Sequence, residues 1–357
     1  MPTHLIATNR DGFDLRKANS AQLGVLAEFN FGELTFVTDG PIEKDTYKAF
    51  PVGISPYSGS LEVADETQLL GYARFFRRMV ELTKESGKEI LCFVHGYRHP
   101  VERLQETIRR IQKAYIDDPQ CNIGHVVMIS WPSTDQTDEY RHDRTRAIQT
   151  GKGAFLRFLE EWRKFLLEAF TNIEDREQFA GKFNLVAASM GNKLLESSAE
   201  GFHFRDLKLF HEVIHTAPDV GRSQFEKRKP LYELAKLARR VHIYHNRGDL
   251  VLDISTYVVN ELEPRLGKNG PTVFTPGEDN TYFIDVTIPV GIALLGPNTV
   301  IDPGDELEFP TVHTYFVKVK RVVADAKHIF AHENWIPGRL PFFRHREELL
   351  PVSFHAK

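Results

Sequence analysis

The stretch FNLVAASMGNKLLESSAEG, residues 183–201, decides the fold. Its apolar run 185–188 leads directly into Ser189, and helical periodicity begins at Gly191. A nucleophilic serine between a strand and a helix sits in a strained turn, so the residues two positions away on either side must be small. Ala187 and Gly191 meet this demand. We therefore interpret Ser189 as the nucleophile of a strand–turn–helix motif.

On both sides of this motif, strand-like runs alternate with helical periodicity from about Glu66 onward. The pattern predicts strands at 89–94, 125–130, 184–188, 212–216, 240–244 and 281–286. It predicts helices at 67–86, 101–116, 144–171, 191–200, 224–238 and 253–262. A repeated strand–helix order indicates an α/β fold with a mostly parallel central sheet flanked by helices. Ligands bind such sheets beyond the carboxyl ends of the strands, so we expect the chemistry in the loops there.

The two ends of the chain differ from this middle part. Residues 1–65 alternate short apolar runs with Gly, Pro and Asp, a pattern typical of short antiparallel strands. No repeat is visible, and we expect a single domain over residues 1–357. The Gly- and Pro-rich insertion 287–312 is interpreted either as a lid over the site or as a surface excursion.

Composition excludes several classes of protein. The formal net charge of -4 leaves no basic excess for a nucleic-acid backbone, so no nucleic-acid partner is expected. The apolar runs are far shorter than the ~20 residues of a membrane-spanning helix, so no transmembrane segment is expected. The N-terminal MPTHLIATNRDG lacks the pattern of a secretory signal, which favours a cytoplasmic location. Cys92 and Cys121 are too few for a disulfide framework and are interpreted as free thiols.

A second motif, ILCFVHGYRHP at residues 90–100, ends an apolar strand in His95-Gly96-Tyr97. A loop at this position supplies an oxyanion-hole amide in folds that carry the serine turn, and Gly96 lets the backbone approach the reacting carbonyl. We predict that the backbone N–H groups of Tyr97 and Met190 are the two oxyanion donors. His95 is expected to order this loop rather than to act as a base.

A serine nucleophile needs a base, and the base needs an orienting carboxylate. In folds that carry the strand–turn–helix serine motif, the chain order is serine, acid, histidine. For the acid we favour Asp249 in VHIYHNRGDLVLDIS, because it follows a strand and a Gly turn. Asp219 in IHTAPDVG is the alternative. Asp253 is interpreted as a helix N-cap.

Among the histidines that follow the last predicted strand, the candidates for the base are His313, His328, His332 and His345. The apolar spacing in 317–333 predicts an amphipathic helix that carries His328 and His332. His313 is predicted to lie in the loop before that helix, where the base is expected, and we favour it.

No metal or organic cofactor is expected. The pairs His211 with His215 and His328 with His332 lack the HExxH arrangement of a catalytic zinc site. Residues four apart on a strand are also separated by ~13 Å, too far for one ion.

Taken together, the motifs resemble the DUF900 family, a bacterial branch of the α/β-hydrolases described as esterase- or lipase-like proteins of unknown function. The resemblance spans most of the chain and rests on ATNR (7–10), HGY (95–97), SWPS (130–133), Tyr140 with Asp143, Arg144 and Ala147, ASMGN (188–192), APD (217–219), GDLVL (248–252) and HTYF (313–316). It implies the α/β-hydrolase fold and a triad of Ser189, Asp249 and His313. The sequence departs from the family at Ala188, where histidine is usual, and at the insertion 287–312.

These residues predict a serine hydrolase that cleaves a carboxylic ester through an acyl-enzyme. The expected partner is a small-molecule or lipid-like acyl substrate. Two alternatives remain open: an inactive binding module that retains the fold, and an acyltransferase that uses the same triad. The sequence does not indicate the oligomeric state or the acyl length.

Overall fold

Nine strands form one sheet in the computed structural model, which describes residues 2–11, 13, 15, 24–36, 45–51, 71–201, 207–259, 263–272, 280–294 and 311–333. The strands are β1 (Thr3–Arg10), β2 (Val25–Thr35), β3 (Thr46–Ala49), β4 (Glu89–Val94), β5 (Ile123–Ser130), β6 (Phe183–Ala188), β7 (Phe210–Thr216), β8 (Ala238–His245) and β9 (Thr281–Asp285). Their order across the sheet is β3-β2-β1-β5-β4-β6-β7-β8-β9.

Twelve α-helices connect and cover these strands in the described ranges. They are α1 (Gly71–Ser86), α2 (Glu102–Ile111), α3 (Tyr140–Thr150), α4 (Leu156–Ala169), α5 (Ile173–Ala180), α6 (Gly191–Ala199), α7 (Pro230–Ala235), α8 (Val251–Val259), α9 (Leu266–Asn269), α10 (Thr287–Leu294), α11 (Thr311–Lys318) and α12 (Lys320–Phe330). Two π-helical segments follow α2 and α3, at Gln112–Ile116 and Gly151–Phe155. None of the helices placed by the structure combines the length and apolar character needed to cross a membrane.

The sheet is mostly parallel with an antiparallel edge. β1 pairs with β2, and β2 with β3, in antiparallel fashion, whereas every neighbour from β1 through β5 to β9 is parallel. The predicted α/β-hydrolase fold with an N-terminal antiparallel region is therefore confirmed. Because parallel strands end at the same edge, the loops after β4, β6, β7 and β8 meet there.

Two hydrophobic layers cover the two faces of the sheet. On one face, aromatic side chains of α1 and α4 pack together, with the Phe76 ring 5.4 Å from Phe158 and 5.0 Å from Trp162. On the other face, Tyr115 packs against Phe316 and Phe330. All six residues of β4 are buried, as expected of a strand covered on both faces.

The structure corrects the predicted helix 224–238. A short 3-10 helix, Arg222–Phe225, and the six-residue α7 occupy this region, and Ala238 already belongs to β8. Pro230 is the physical reason, because proline lacks the N–H that a helix interior needs and is accommodated in the first turn. The helix predicted at 144–171 was also wrong in extent, because α3 begins at Tyr140 and α4 ends at Ala169.

The predicted insertion 287–312 is partly helical. Its first eight residues form α10, and 295–310 lie outside the described residues, as do 52–65 and His345. Both ends of the predicted insertion are therefore helical rather than loop, since α10 begins at Thr287 and α11 begins at Thr311. The lid interpretation stays a prediction.

We predict that Phe76→Ala lowers the free energy of unfolding by about 3–5 kcal/mol, because it opens a cavity among the buried aromatic rings. Ile173→Ala is the matched control, since Ile173 also lies in a helix but is 67% exposed. It should change stability by less than about 0.5 kcal/mol. Urea unfolding of both variants measures the difference, and equal effects would contradict this description of the core.

Candidate active site

Ser189 lies in a strained turn between β6 and α6. Its φ of 50° is in the left-handed region, which costs a non-glycine residue about 1–3 kcal/mol unless its surroundings hold it. The Ser189 N–H donates to the Thr216 carbonyl at 2.9 Å. Asn192 donates from its side-chain Nδ2 to the carbonyls of Ala187 and Ser189, at 2.9 and 3.0 Å. These bonds hold the serine in the conformation that the sequence predicted for it.

Two glycines allow this turn to meet the end of β4. A β-carbon at Gly96 would lie 2.9 Å from the β-carbon of Ser189. A β-carbon at Gly191 would lie 2.7 Å from the carbonyl oxygens of both Val94 and His95. Neither position has room for a side chain, so the two loops approach each other only with glycine at both places.

The predicted oxyanion donors flank this contact. Tyr97 follows Gly96, and Met190 directly precedes the first residue of α6. Across the part of the chain that the structure places, neither backbone N–H donates a hydrogen bond. Both amides are therefore available to a ligand, and α6 adds the positive end of its dipole beside Met190.

His95 is enclosed by the loops that follow β4 and β5. The Trp131 backbone N–H donates to His95 Nε2 at 3.1 Å, so the ring proton lies on Nδ1, which donates to the Gly96 carbonyl at 2.8 Å. The Trp131 indole N–H in turn donates to the His95 carbonyl at 2.8 Å. Burial, followed by the nearby His99 and Arg10, holds the pKa of His95 well below its usual value. His95 is thus neutral and fixes the backbone that carries Gly96.

Asp249 and His313 are joined by a buried hydrogen bond. The His313 Nδ1 atom lies 2.7 Å from Asp249 Oδ2, and both side chains are almost fully inaccessible to solvent. The other carboxylate oxygen accepts the N–H groups of Val251 and Leu252 at 3.1 and 3.4 Å. With Nδ1 directed at Asp249, Nε2 is the nitrogen of His313 that remains for a reacting group.

Two local predictions around this pair were wrong. Asp253 is not the N-cap of α8: it lies inside the helix and pairs with Lys268, while Asp249 accepts the N-terminal amides. His313 is not in a loop, because it lies in α11. This helix has only eight residues and is kinked at Thr314, so its apolar spacing is too short to show a helical period.

The pKa of His313 is set by opposing effects. Burial lowers it, but the charge of Asp249, the hydrogen bond to Asp249 and the charge of Asp219 together raise the pKa of His313 above the usual 6.5. The imidazolium form is therefore favoured by the two carboxylates, which suits a group that must accept a proton during a reaction.

The alternative acid, Asp219, is bound by other groups. Its carboxylate accepts hydrogen bonds from the hydroxyls of Tyr140 and Ser255, and Arg265 Nε lies 3.3 Å away. The structure brings Asp249, and not Asp219, into contact with His313.

The alternative histidines lie elsewhere. His328 is exposed and bonds to Glu333. His332 contacts Glu212 and Glu89 at the amino-terminal edge of the sheet. Although burial lowers it, the hydrogen bonds to Glu212 and Glu89 raise the pKa of His332 to about 9, so this side chain is protonated at neutral pH.

Ser189 and His313 line the same pocket, which has a cavity volume of about 110 Å³. Its apolar wall includes Phe93, Phe316 and Val317, and α2 contributes charged side chains at Arg103 and Arg110. The sequence analysis assigned no pocket role to these residues, although Phe93 and Phe316 lie in motifs that it quoted. The position of Phe93, one residue before the end of the strand that leads to Gly96, could have indicated a place in the pocket. The approach of α2 and α11 to the pocket could not be predicted, because it depends on long-range contacts.

The sheet and the serine turn define an α/β-hydrolase. The family model described as "Alpha/beta hydrolase of unknown function (DUF900)" matches residues 76–282, more than half of the chain, and the chain belongs to this family. The match includes Ser189, Gly96 and Asp249, and it ends before His313. A search of curated proteins found no match to this chain.

We predict that Gly191→Ala destabilises the protein by about 1–3 kcal/mol, because its methyl group would force β4 and α6 apart. Gly291→Ala is the control, since a β-carbon at Gly291 in α10 meets no atom of the described residues within 4 Å. That substitution should be neutral or stabilising, by up to about 1 kcal/mol from helix propensity. Denaturant unfolding of the two variants tests the close approach, and an unaffected Gly191→Ala variant would refute it.

Proposed function

We propose that the protein is a serine hydrolase that cleaves carboxylic esters through an acyl-enzyme. The observation that carries this proposal is the 2.7 Å bond between His313 Nδ1 and Asp249 Oδ2, on the wall of the pocket that also contains Ser189. Membership in an α/β-hydrolase family supports hydrolysis in general. From the geometry we infer that the substrate is an ester and that Ser189, His313 and Asp249 act as nucleophile, base and orienting acid.

In this mechanism, Ser189 Oγ attacks the ester carbonyl while His313 Nε2 accepts the hydroxyl proton. Asp249 holds the imidazole in the required tautomer and stabilises its positive charge. The N–H groups of Tyr97 and Met190 bind the oxyanion. His313 then donates the proton to the leaving alkoxide, and the acyl group remains on Ser189. Water then attacks the acyl carbon while His313 accepts its proton; the bond to Ser189 Oγ breaks, the carboxylic acid leaves, and His313 returns the proton to Ser189.

The apolar part of the pocket wall favours an apolar acyl group, whereas α2 adds the charged side chains Arg103, Glu106 and Arg110. Phe93, Phe316 and Val317 offer no charge to a substrate, and Ala188 is small. The cavity of about 110 Å³ is smaller than the ~300 Å³ at which pockets for drug-sized ligands begin. We therefore infer a preference for short acyl chains within a small-molecule or lipid-like ester.

Hydrolysis of p-nitrophenyl esters, from acetate to long acyl chains, tests the proposal. We expect Ser189→Ala and His313→Ala to lower kcat by a factor of ~10⁶, and Asp249→Asn by ~10⁴, by comparison with established serine triads. His328→Ala is the matched histidine control and should retain wild-type activity, because His328 is exposed and does not line the pocket.

A fluorophosphonate that labels active serines separates this proposal from a binding module without activity. Covalent modification of Ser189 in the wild type, absent from Ser189→Ala, is the expected result. Ester hydrolysis that survives Ser189→Ala, or a wild type that is neither active nor labelled, would reject the mechanism.

The pH profile of kcat/KM provides an independent prediction. His313 must be neutral to accept the serine proton, and its pKa is raised by Asp249, so activity should fall on the acid side with a midpoint above 6.5. Asp249→Asn removes that carboxylate charge while burial remains, so the residual activity should have a lower midpoint. A midpoint that does not move would mean that Asp249 does not act on the catalytic histidine.

A further inference from the structure

A second cluster of histidines and carboxylates lies at the amino-terminal edge of the sheet. His211 and Glu212 are at the start of β7, and His332 follows the end of α12. Along β7, His211 is five residues from Thr216, which accepts the Ser189 N–H. At ~3.3 Å per residue this is roughly 16 Å, so the cluster is separate from the site already described.

Three potential ligand atoms converge in this cluster. His211 Nδ1 lies 2.8 Å from Glu212 Oε1, and His332 Nδ1 lies 3.5 Å from the same oxygen. All three side chains offer atoms within 4.8 Å of one another. Zn²⁺ binds imidazole nitrogen and carboxylate oxygen at about 2.0–2.2 Å in tetrahedral geometry, which separates the ligands by about 3.3 Å. The His211 and His332 ring centroids are 3.6 Å apart, so the two rings must rotate away from each other to reach that spacing.

The surrounding groups orient two of these ligands. His332 Nε2 lies 2.8 Å from Glu89 Oε1, which directs the Nδ1 atom of the same ring towards Glu212. Glu89 is in turn held by Asn184, whose Nδ2 donates to Glu89 Oε2 at 2.9 Å. The His242 Nε2 atom lies 2.9 Å from the second oxygen of Glu212. A histidine that is oriented by a carboxylate behind it is the usual arrangement around protein-bound metals.

The exposure of the cluster also fits a bound ion. The side chains of His211 and His332 are 15% and 25% exposed, whereas that of Glu212 is fully buried. An ion can therefore enter from solvent, and water can complete its coordination. Arg240 binds Glu212 Oε1 at 2.6 Å, so the ion must share this oxygen with the guanidinium or displace it.

We propose that His211, Glu212 and His332 bind one divalent cation of the zinc class, with water as the fourth ligand. Binding requires that the Nδ1 atom of each histidine, which faces Glu212, gives up its proton to solvent. The ion would fasten the chain after α12 to β7. At its other end, α12 is preceded by α11, which carries His313. Pairs of histidines four residues apart in the sequence do not reveal this set, because two of its ligands are adjacent and the third is 120 residues away.

The test uses the full-length protein after dialysis against a chelator. Calorimetric titration with Zn²⁺ and visible absorption with Co²⁺ measure affinity and coordination. The variants are His211→Ala and His332→Asn; asparagine is chosen because His332 has a φ of 55°, a conformation that asparagine tolerates. His328→Ala is the matched control, since His328 lies in the same segment and its side chain hydrogen-bonds to Glu333 rather than to Glu212 or Glu89.

We expect the wild type and His328→Ala to bind one Zn²⁺ and to show a higher Tm with the ion present. His211→Ala and His332→Asn should each weaken binding by at least ~100-fold, and Glu89→Gln by ~10–100-fold, as is usual for a group behind a ligand. Circular dichroism without metal checks that the variants are folded.

Two results would overturn the proposal. The first is no saturable binding of Zn²⁺ or Co²⁺ by the wild type. The second is binding that both His211→Ala and His332→Asn leave unchanged, which would place the ion elsewhere, for example at His313. Ester hydrolysis is measured in parallel without metal, so a failure of the proposed hydrolase activity is distinguishable from a failure of this site.

Discussion

The carbonyl oxygens of Val94 and His95 approach Gly191 so closely that no β-carbon fits between them. This contact depends on the strand order, because β4 pairs directly with β6 and the two strands end at the same edge of the sheet. It places Gly96 against Ser189, next to the backbone amides of Tyr97 and Met190, which donate no hydrogen bond within the described part of the chain. The rest of the fold can be understood as the support that keeps these two loops in register.

Part of that support is a buried polar network beneath the serine turn. The His215 Nδ1–H donates to Asn192 Oδ1 at 2.6 Å, and the Asn192 amide then donates to two carbonyls of the turn. Burial, more than the nearby His242, lowers the pKa of His215 to about 3, so the ring stays neutral and keeps a fixed role as donor. The strained backbone at Ser189 persists because several hydrogen bonds hold it in place, and this network supplies two of them.

The sequence predicted best where one local pattern carries the information. The run into Ser189 and the glycine after His95 have short-range causes, so both loops and the parallel sheet could be recognised. The helix at His313 could not, because eight kinked residues show no period. The contact of Glu212 with His332 could not be predicted either, since the chain forms β8, β9 and α12 between these two residues. Long-range contacts of single polar residues leave no periodic trace in a sequence.

The two buried acids beside the pocket show how their surroundings divide their roles. Asp219 is surrounded by donors, two hydroxyls and the Arg265 guanidinium, which use its oxygens. Asp249 instead receives two backbone amides at the start of α8 on one oxygen, and this leaves the other for His313. The amino-terminal end of a helix stabilises a carboxylate without consuming it as an ion pair. The orientation of the imidazole therefore rests on rigid backbone, and the charge of Asp219 contributes only by helping to raise the pKa of His313.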